Sequence, residues 1–209
     1  MKNKKAKSVL SAKELSVIAL FTAITAVFAQ IAIPLPFTPV PISFGLVAVY
    51  MSGILLKPKH AVYSQLCYLT LGGLGIPVFG GFRGGLGALF GPTGGYLLVY
   101  PIMAWLVSMV LNSQKSRQNE SSNSKGFLLF KSAVAICTAH IILYLGGTTW
   151  LSITTGNSFY ATLAIAVFPF IPMDILKIIF CIFAVVPIRS RLISTNFLII
   201  DNTKADFSE

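Results

Sequence analysis

The chain has 209 residues, of which 55% are hydrophobic and 11% charged, a composition that would leave a soluble protein with apolar side chains it could not bury. Its net charge of +10 would suit nucleic-acid binding, but no zinc-finger or helix-turn-helix pattern is present and no aromatic residues interleave with the basic clusters. We therefore predict an all-α integral membrane protein, with the lipid membrane and no nucleic acid among its partners.

The basic residues predict the orientation in the membrane. With two exceptions, Arg83 and Lys177, the sixteen lysines and arginines form four groups that alternate with apolar segments. Basic loops favour the cytoplasmic side of a membrane. Six transmembrane helices in a multi-pass protein of the cell membrane, with both termini in the cytoplasm, would place every group inside. The groups lie within residues 2–13, 57–59, 115–131 and 189–204.

The predicted elements follow in chain order. A basic cytoplasmic tail over residues 1–13 precedes a membrane domain over residues 14–192, and residues 193–209 form a cytoplasmic C-terminal tail. A segment of about 20 apolar residues can cross a bilayer as a helix. Spans are predicted over residues 14–33, 42–56, 60–71, 94–111, 127–145 and 173–187. The other segments are external connections over 34–41 and 146–158, a polar cytoplasmic linker over 112–126 and an apolar piece over 159–168.

Small residues recur at four-residue spacing in the first predicted span. Ala19 and Ala23, with the neighbouring Thr22 and Ala26, would form a stripe along one face of the helix. Such a stripe lets a second helix approach closely, and close packing is a main source of helix association in lipid. The stripe could serve packing within the chain or docking to another membrane subunit, and the sequence leaves both open.

Residues 72–101 hold eleven glycines and three prolines between segments long enough to be helices. Both residue types break helices, and glycine lets backbone approach a ligand closely. In a membrane, irregular backbone is tolerated only where it is buried in protein or lines a cavity. We therefore expect this stretch to line a pocket on the extracellular side and to bury its apolar side chains, Phe79, Leu86 and Phe90 among them.

Two charged residues stand three positions apart at the start of the last span, Asp174 and Lys177. A charge in the hydrophobic region costs at least about 2.5 kcal/mol on insertion scales, so both are functional candidates. Their spacing places them on one helix face, where they could simply neutralise each other. An apolar pair would pack without the desolvation cost, which favours a ligand site. Asp174 would accept hydrogen bonds from ligand N–H groups, and Lys177 would donate to a carbonyl or carboxylate.

Arg83 is the only basic residue in a predicted external connection. It could pair with an anionic group of a ligand or extend to the membrane surface, and both interpretations stay open. Together with Phe79, Phe82, Tyr96 and the glycine backbone, these groups suit a small, neutral-to-acidic molecule with amide-like edges.

The remaining candidates for chemistry are few. Cys67, Cys137 and Cys181 fall in apolar segments without CxxC spacing, which predicts small buried side chains rather than disulfides or metal ligands. His140, alone in the fifth span, is predicted to be a packed or hydrogen-bonded helix residue rather than a proton relay. No phosphate-binding loop or hydrolase motif is present, so we predict no catalytic residue, no metal and no cofactor. If the protein transports its ligand against a concentration gradient, the energy must come from partner proteins or an ion gradient.

The motif GPTGGY at residues 91–96, with GIPVF at 75–79 and the pattern PxxPxDxxK at 169–177, resembles the BioY family, the biotin-specific S components of energy-coupling factor (ECF) transporters. The resemblance covers residues 14–192. It implies six helices, capture of biotin from outside, and docking onto a transmembrane T component that carries two ATPase subunits.

The resemblance also implies roles for individual residues. Asp174 and Lys177 match the membrane Asp and Lys implicated in biotin binding, and Ala19 and Ala23 match the usual contact with the T component. The motif adds Thr93, Gly94 and Gly95 as binding candidates. The chain differs from many family members at Val99, around Ser43 and near Gly81, and Ser43 and Gly81 are binding candidates as well.

Two other functions stay open on the residues alone. The chain could be a standalone ion-coupled carrier for biotin or a similar small acid, with Asp174 as the proton-binding group. It could also be an intramembrane enzyme that uses the same carboxylate as a base.

Overall fold

The structure is a computed structural model, and it describes residues 10–112 and 125–194. Most of the predicted tails over 1–13 and 193–209 and of the linker over 112–126 therefore lies outside the described residues. The described part is dominated by helices. They are α1 (Ala12–Gln30), α2 (Gly45–Leu55), α3 (Pro58–Gly73), α4 (Leu86–Leu89), α5 (Gly94–Leu111), α6 (Lys125–Thr155), α7 (Phe159–Ala166), α8 (Ile171–Phe180) and α9 (Val186–Ser194).

Four of these helical segments are long and apolar enough to cross a membrane: α1, α5, α6 from Gly126, and the continuous helix over Ile171–Arg189. The last is continuous because a π-helical turn, Cys181–Val185, joins α8 to α9. Helices α2 and α3 have only 11 and 16 residues. Crossings at those two places therefore stay predictions.

A β-hairpin follows α1 where the sequence predicted only a proline-rich connection. Strand β1 (Ala32–Leu35) pairs antiparallel with β2 (Thr38–Ser43), with Ala32 opposite Ser43. Proline cannot donate a backbone hydrogen bond, but it is tolerated on edge strands, and both strands of a two-stranded sheet are edges. The end of β2 supplies part of a cavity wall described below.

The glycine-rich stretch is irregular between α3 and α5 apart from the single turn α4. Its centre is a tight reversal in which Phe79 and Arg83 exchange backbone hydrogen bonds of 2.9 and 3.2 Å. Phe79 is buried, as predicted, but the side chains of Leu86 and Phe90 are exposed, so the prediction of their burial is wrong. An apolar side chain that faces lipid needs no cover from its own chain, which removes the reason for that prediction.

Helix α5 is the centre of the bundle and packs against α2, α3 and α6. Its contact with α6 is close because glycines lie at the crossing. A Cβ added at Gly95 would lie 2.2 Å from the Trp150 Cβ, and one added at Gly146 would lie 2.7 Å from a Val99 methyl carbon. Small residues at a helix interface allow this approach of the backbones.

Helix α6 runs ten residues further than predicted, through residues 146–155, so these residues are helical and do not form the predicted connection. Its glycine pair resembled a turn signal in the sequence. In the structure Gly146 and Gly147 are helical and provide space for side chains of α5. Only residues 156–158 separate α6 from α7.

Arg189 was predicted to lie in the cytoplasmic basic group of residues 189–204, and in the structure its side chain is buried in the helix bundle, only 1% exposed. The guanidinium donates to the carbonyl oxygen of Ile54, and at 3.2 Å to those of Leu111 and the Asn112 side chain. The last carbonyls of a helix have no partner within the helix. Arg189 therefore caps the C-terminal ends of α2 and α5 together.

The cysteines agree with their prediction only in part. All three have free thiols, but Cys181 alone is buried, while Cys67 and Cys137 are exposed on α3 and α6. Their apolar surroundings in the sequence did not distinguish a face directed to the bundle interior from a face directed outward.

Candidate ligand-binding site

The ionised pair predicted from the sequence lies at the start of α8. Pro172 occupies the first turn of this helix, a position that needs no backbone donor. Asp174 and Lys177 follow on the inward face, 4% and 3% exposed, and the Lys177 Nζ donates to the Asp174 Oδ1 at 2.9 Å. The pair is therefore buried and mutually bonded.

The second carboxylate oxygen of Asp174 is held by α6. Its Oδ2 accepts from the hydroxyl of Tyr144 at 2.7 Å and lies 3.1 Å from the His140 Nε2. With a proton on Nε2, the other ring nitrogen of His140 accepts from the Tyr50 hydroxyl at 2.5 Å. These contacts agree with the prediction that His140 is a hydrogen-bonded helix residue. Tyr144 was missed, although its four-residue spacing from His140 places both on one helix face.

Two cavities adjoin each other, one beside this pair and the other beside the glycine-rich stretch. The Asp174 cavity, about 400 Å³ including its open mouth, is lined by Asp174, Lys177 and Tyr144 among others. The Arg83 cavity, about 550 Å³ on the same measure, is lined by Phe79, Arg83 and Thr93 among others. Both share a wall from β2 and α5. The shared residues are Val40, Pro41, Ser43, Tyr96 and Tyr100.

Most of the predicted binding residues therefore surround one region of the molecule. Those that line a cavity are Ser43, Phe79, Arg83, Thr93, Tyr96, Asp174 and Lys177. Tyr96 faces both cavities, so its ring and the Asp174 carboxylate belong to the same compartment.

Four predicted residues lie outside the cavity walls. Gly81 and Phe82 form the tip of the reversal with φ of 73° and 57°, and the Phe82 side chain is 73% exposed. The Phe82 backbone N–H donates to the Gln30 side chain at 2.9 Å, which ties this tip to α1. Gly94 and Gly95 are buried, and added Cβ atoms there would collide with the Leu89 carbonyl and Trp150 respectively. Their role is close packing of backbone.

Aromatic rings form the apolar side of the Arg83 cavity. The ring of Tyr68 lies edge-on to Phe79 at 5.4 Å and stacks with Tyr100 at 6.3 Å between centroids. Gly72 makes this arrangement possible, because a Cβ there would lie 2.1 Å from the Phe79 ring. Such a wall suits the apolar part of a small ligand.

The charges of the two cavities differ. The Asp174 cavity contains an ion pair with no net charge. Arg83 lines its cavity and is an exposed residue, and within residues 10–112 and 125–194 no carboxylate forms an ion pair with it. The combined site therefore suits a molecule with an amide-like edge, an apolar body and an acidic group. The same described ranges contain no group of three or more His, Cys, Asp or Glu side chains that could hold a metal ion.

The residues of the small-residue stripe of α1 differ in their burial. Thr22 is buried and its hydroxyl donates to the Ser64 carbonyl of α3 at 2.9 Å, so this side packs within the chain. Ala19 and Ala23 are exposed. Packing against the described residues therefore does not account for these two alanines.

Apolar helices around a partly polar cavity define the class as a helical membrane protein. The chain belongs to the BioY family, whose model it matches over residues 1–194. It is 36% identical over 168 residues to a protein of Pyrococcus horikoshii named "Probable biotin transporter BioY", covering 80% of this chain and 91% of that one. It is 33% identical over 177 residues to "Biotin transporter BioY2" of Lactococcus lactis, covering 84% and 90%.

A solved structure is similar over most of the chain. The crystal structure of the S-component for biotin from an ECF-type ABC transporter matches with a TM-score of 0.75 and 27% identity. The match covers 87% of this chain and 95% of that one. The family resemblance found in the sequence is thus confirmed, and the arrangement of the helices is that of a known membrane fold.

Proposed function

We propose that this protein is the substrate-binding membrane subunit, or S component, of an ECF transporter and captures biotin from outside the cell for ATP-driven uptake. The observation that carries the proposal is that the Asp174–Lys177 pair and Arg83 line two adjoining cavities, with Tyr96 in their common wall. Similarity to proteins named biotin transporters supports the same ligand.

The chemistry of biotin matches this arrangement. Its ureido ring offers N–H donors, which the Asp174 carboxylate accepts, and a carbonyl oxygen, to which Lys177 donates. Its thioether ring and alkyl chain are apolar and fit against the aromatic wall. Its carboxylate needs a cation, and either Arg83 or Lys177 supplies one. No catalytic residue enters this account, because the protein binds its ligand and leaves it chemically unchanged.

The proposal includes partners and orientation. Six helices cross the cell membrane with both termini in the cytoplasm, and α2 and α3 are the two short crossings. A transmembrane T component docks on the exposed side of α1 at Ala19 and Ala23, and two ATPase subunits supply the energy. Similarity to a component of an ABC transporter supports this arrangement over a standalone carrier or an enzyme.

Biotin binding to the purified protein, measured by calorimetry, tests the proposal. Asp174→Asn and Lys177→Ala should each weaken binding at least about tenfold, a loss of about 1.4 kcal/mol or more, because each removes one charge and leaves its partner unpaired. Glu14→Gln and Lys59→Ala are matched controls outside both cavities and should bind as the wild type does. Wild-type affinity in both Asp174→Asn and Lys177→Ala would remove the pair from the site.

A further inference from the structure

Four tyrosines line the two cavities, and their hydroxyl groups differ in what they bond. The Tyr144 hydroxyl donates to Asp174, and the Tyr96 hydroxyl lies 3.4 Å from the Ala166 carbonyl oxygen. The hydroxyls of Tyr68 and Tyr100 form no hydrogen bond with any described residue. A phenol buried in an apolar bundle normally finds a partner, because phenylalanine would fill the same space without a polar group to desolvate.

The two unpartnered hydroxyls have different surroundings. The Tyr68 hydroxyl is sealed inside the protein, one of two fully buried side-chain polar atoms without a partner in the described part of the chain. Tyr100 is 6% exposed and lines both cavities, and its hydroxyl is not among the sealed atoms. Only the Tyr100 hydroxyl is therefore within reach of a molecule in the cavities.

The place of Tyr100 in α5 follows from the helix period. Tyr96 and Tyr100 are four residues apart, so both rings project from one face of α5 toward the cavities. Tyr96 is closed in by Gly147 of α6, whereas Tyr100 stacks on Tyr68 of α3. The ring of Tyr100 is held by this stacking, and the residue lines the wall that the two cavities share.

We propose that Tyr100 is a ligand-contacting residue, whose hydroxyl donates a hydrogen bond to an acceptor oxygen of the bound molecule where the two cavities adjoin. The inference rests on the proposed function and adds a specificity-determining residue to it. Biotin has two such acceptors, the ureido carbonyl and the carboxylate, and both are oxygens that a phenol hydroxyl bonds well. A ligand of the same shape with no acceptor at that place would leave this hydroxyl unpaired and bind less tightly.

The test is Tyr100→Phe in the purified full-length protein, with biotin affinity measured by calorimetry. We expect binding about three- to tenfold weaker, the usual effect of one neutral hydrogen bond, and an unchanged melting temperature without ligand. Tyr63→Phe is the matched control, since it deletes a tyrosine hydroxyl from an exposed position of α3 outside both cavities. Its affinity should stay within about twofold of the wild type.

A biotin analogue with a methyl group in place of the carboxylate then identifies the acceptor. An equal loss for biotin and for this analogue in Tyr100→Phe assigns the ureido oxygen, and a loss confined to biotin assigns the carboxylate. Wild-type affinity of Tyr100→Phe would overturn the inference and leave the proposed function intact, whereas a wild-type protein that binds no biotin would overturn both. Calorimetry gives the Kd of the folded fraction, so a partly unfolded sample does not obscure the comparison.

Discussion

The addition of one methyl group to α6 tests whether Tyr96 forms part of the wall of the ligand site. A Cβ added at Gly147 would lie 2.3 Å from the ring of Tyr96, whereas ordinary contact begins at 3.4 Å. The Gly147→Ala substitution therefore requires the ring to move by about 1.1 Å, the difference between these two distances. The ring is packed against α6 on this side, and the space on its other side is the pair of cavities.

The cost of this movement should appear mainly in ligand binding. Without ligand, the ring relieves the overlap by moving into the cavities, so the melting temperature changes little. A bound ligand occupies that space and forces the overlap, which costs about 1–3 kcal/mol for one inserted carbon in a packed site. We expect biotin affinity to fall between about fivefold and about 150-fold.

Calorimetry on Gly147→Ala and on a matched variant of the same helix checks this expectation. Gly126→Ala adds the same methyl group where nothing lies within 4 Å, so its affinity should equal that of the wild type. Equal affinities for Gly147→Ala and Gly126→Ala would refute the assignment of Tyr96 to the wall of the ligand site.

Two further predictions concern the exposed side of α1 and the C-terminal ends of α2 and α5. The double variant Ala19→Trp/Ala23→Trp should still bind biotin but should lose ATP-driven uptake in vesicles that also hold the T component and ATPases. Phe130→Trp, on another exposed face, should keep its uptake. Persistent uptake by the double variant would show that the alanines are not a docking surface. Arg189→Met should lower the melting temperature by removing the shared cap, about 1–3 kcal/mol for carbonyls left unpaired, with biotin affinity unchanged. The exposed Lys59→Met is its control, and equal melting temperatures would contradict the role of Arg189.

The features that could be predicted from the sequence are those that local spacing determines. The three-residue interval between Asp174 and Lys177 fixes a common helix face, and the structure adds a bond of 2.9 Å between them. The density of glycine in residues 72–101 indicated irregular backbone, and its centre is irregular. Whether these residues bind the ligand stays a prediction.

What the sequence did not reveal depends on contacts between distant segments. Tyr144 and Asp174 are 30 residues apart, and nothing local to either residue indicates their hydrogen bond. Gly147 looks like a turn signal until the ring it accommodates, Tyr96, is known. Arg189 follows an apolar span and looks solvated, because the carbonyl groups that it caps belong to other helices.

The π-helical turn in the last helix has a consequence for the angular positions of its two buried cations. Lys177 and Arg189 are twelve residues apart, and in a regular α-helix, at about 100° per residue, their side chains would point about 120° away from each other. The turn over Cys181–Val185 takes up one extra residue, which reduces the divergence to about 20°. Both cations therefore project from the same side of this helix, Lys177 at the cavity and Arg189 at the opposite end of the bundle, and neither faces lipid.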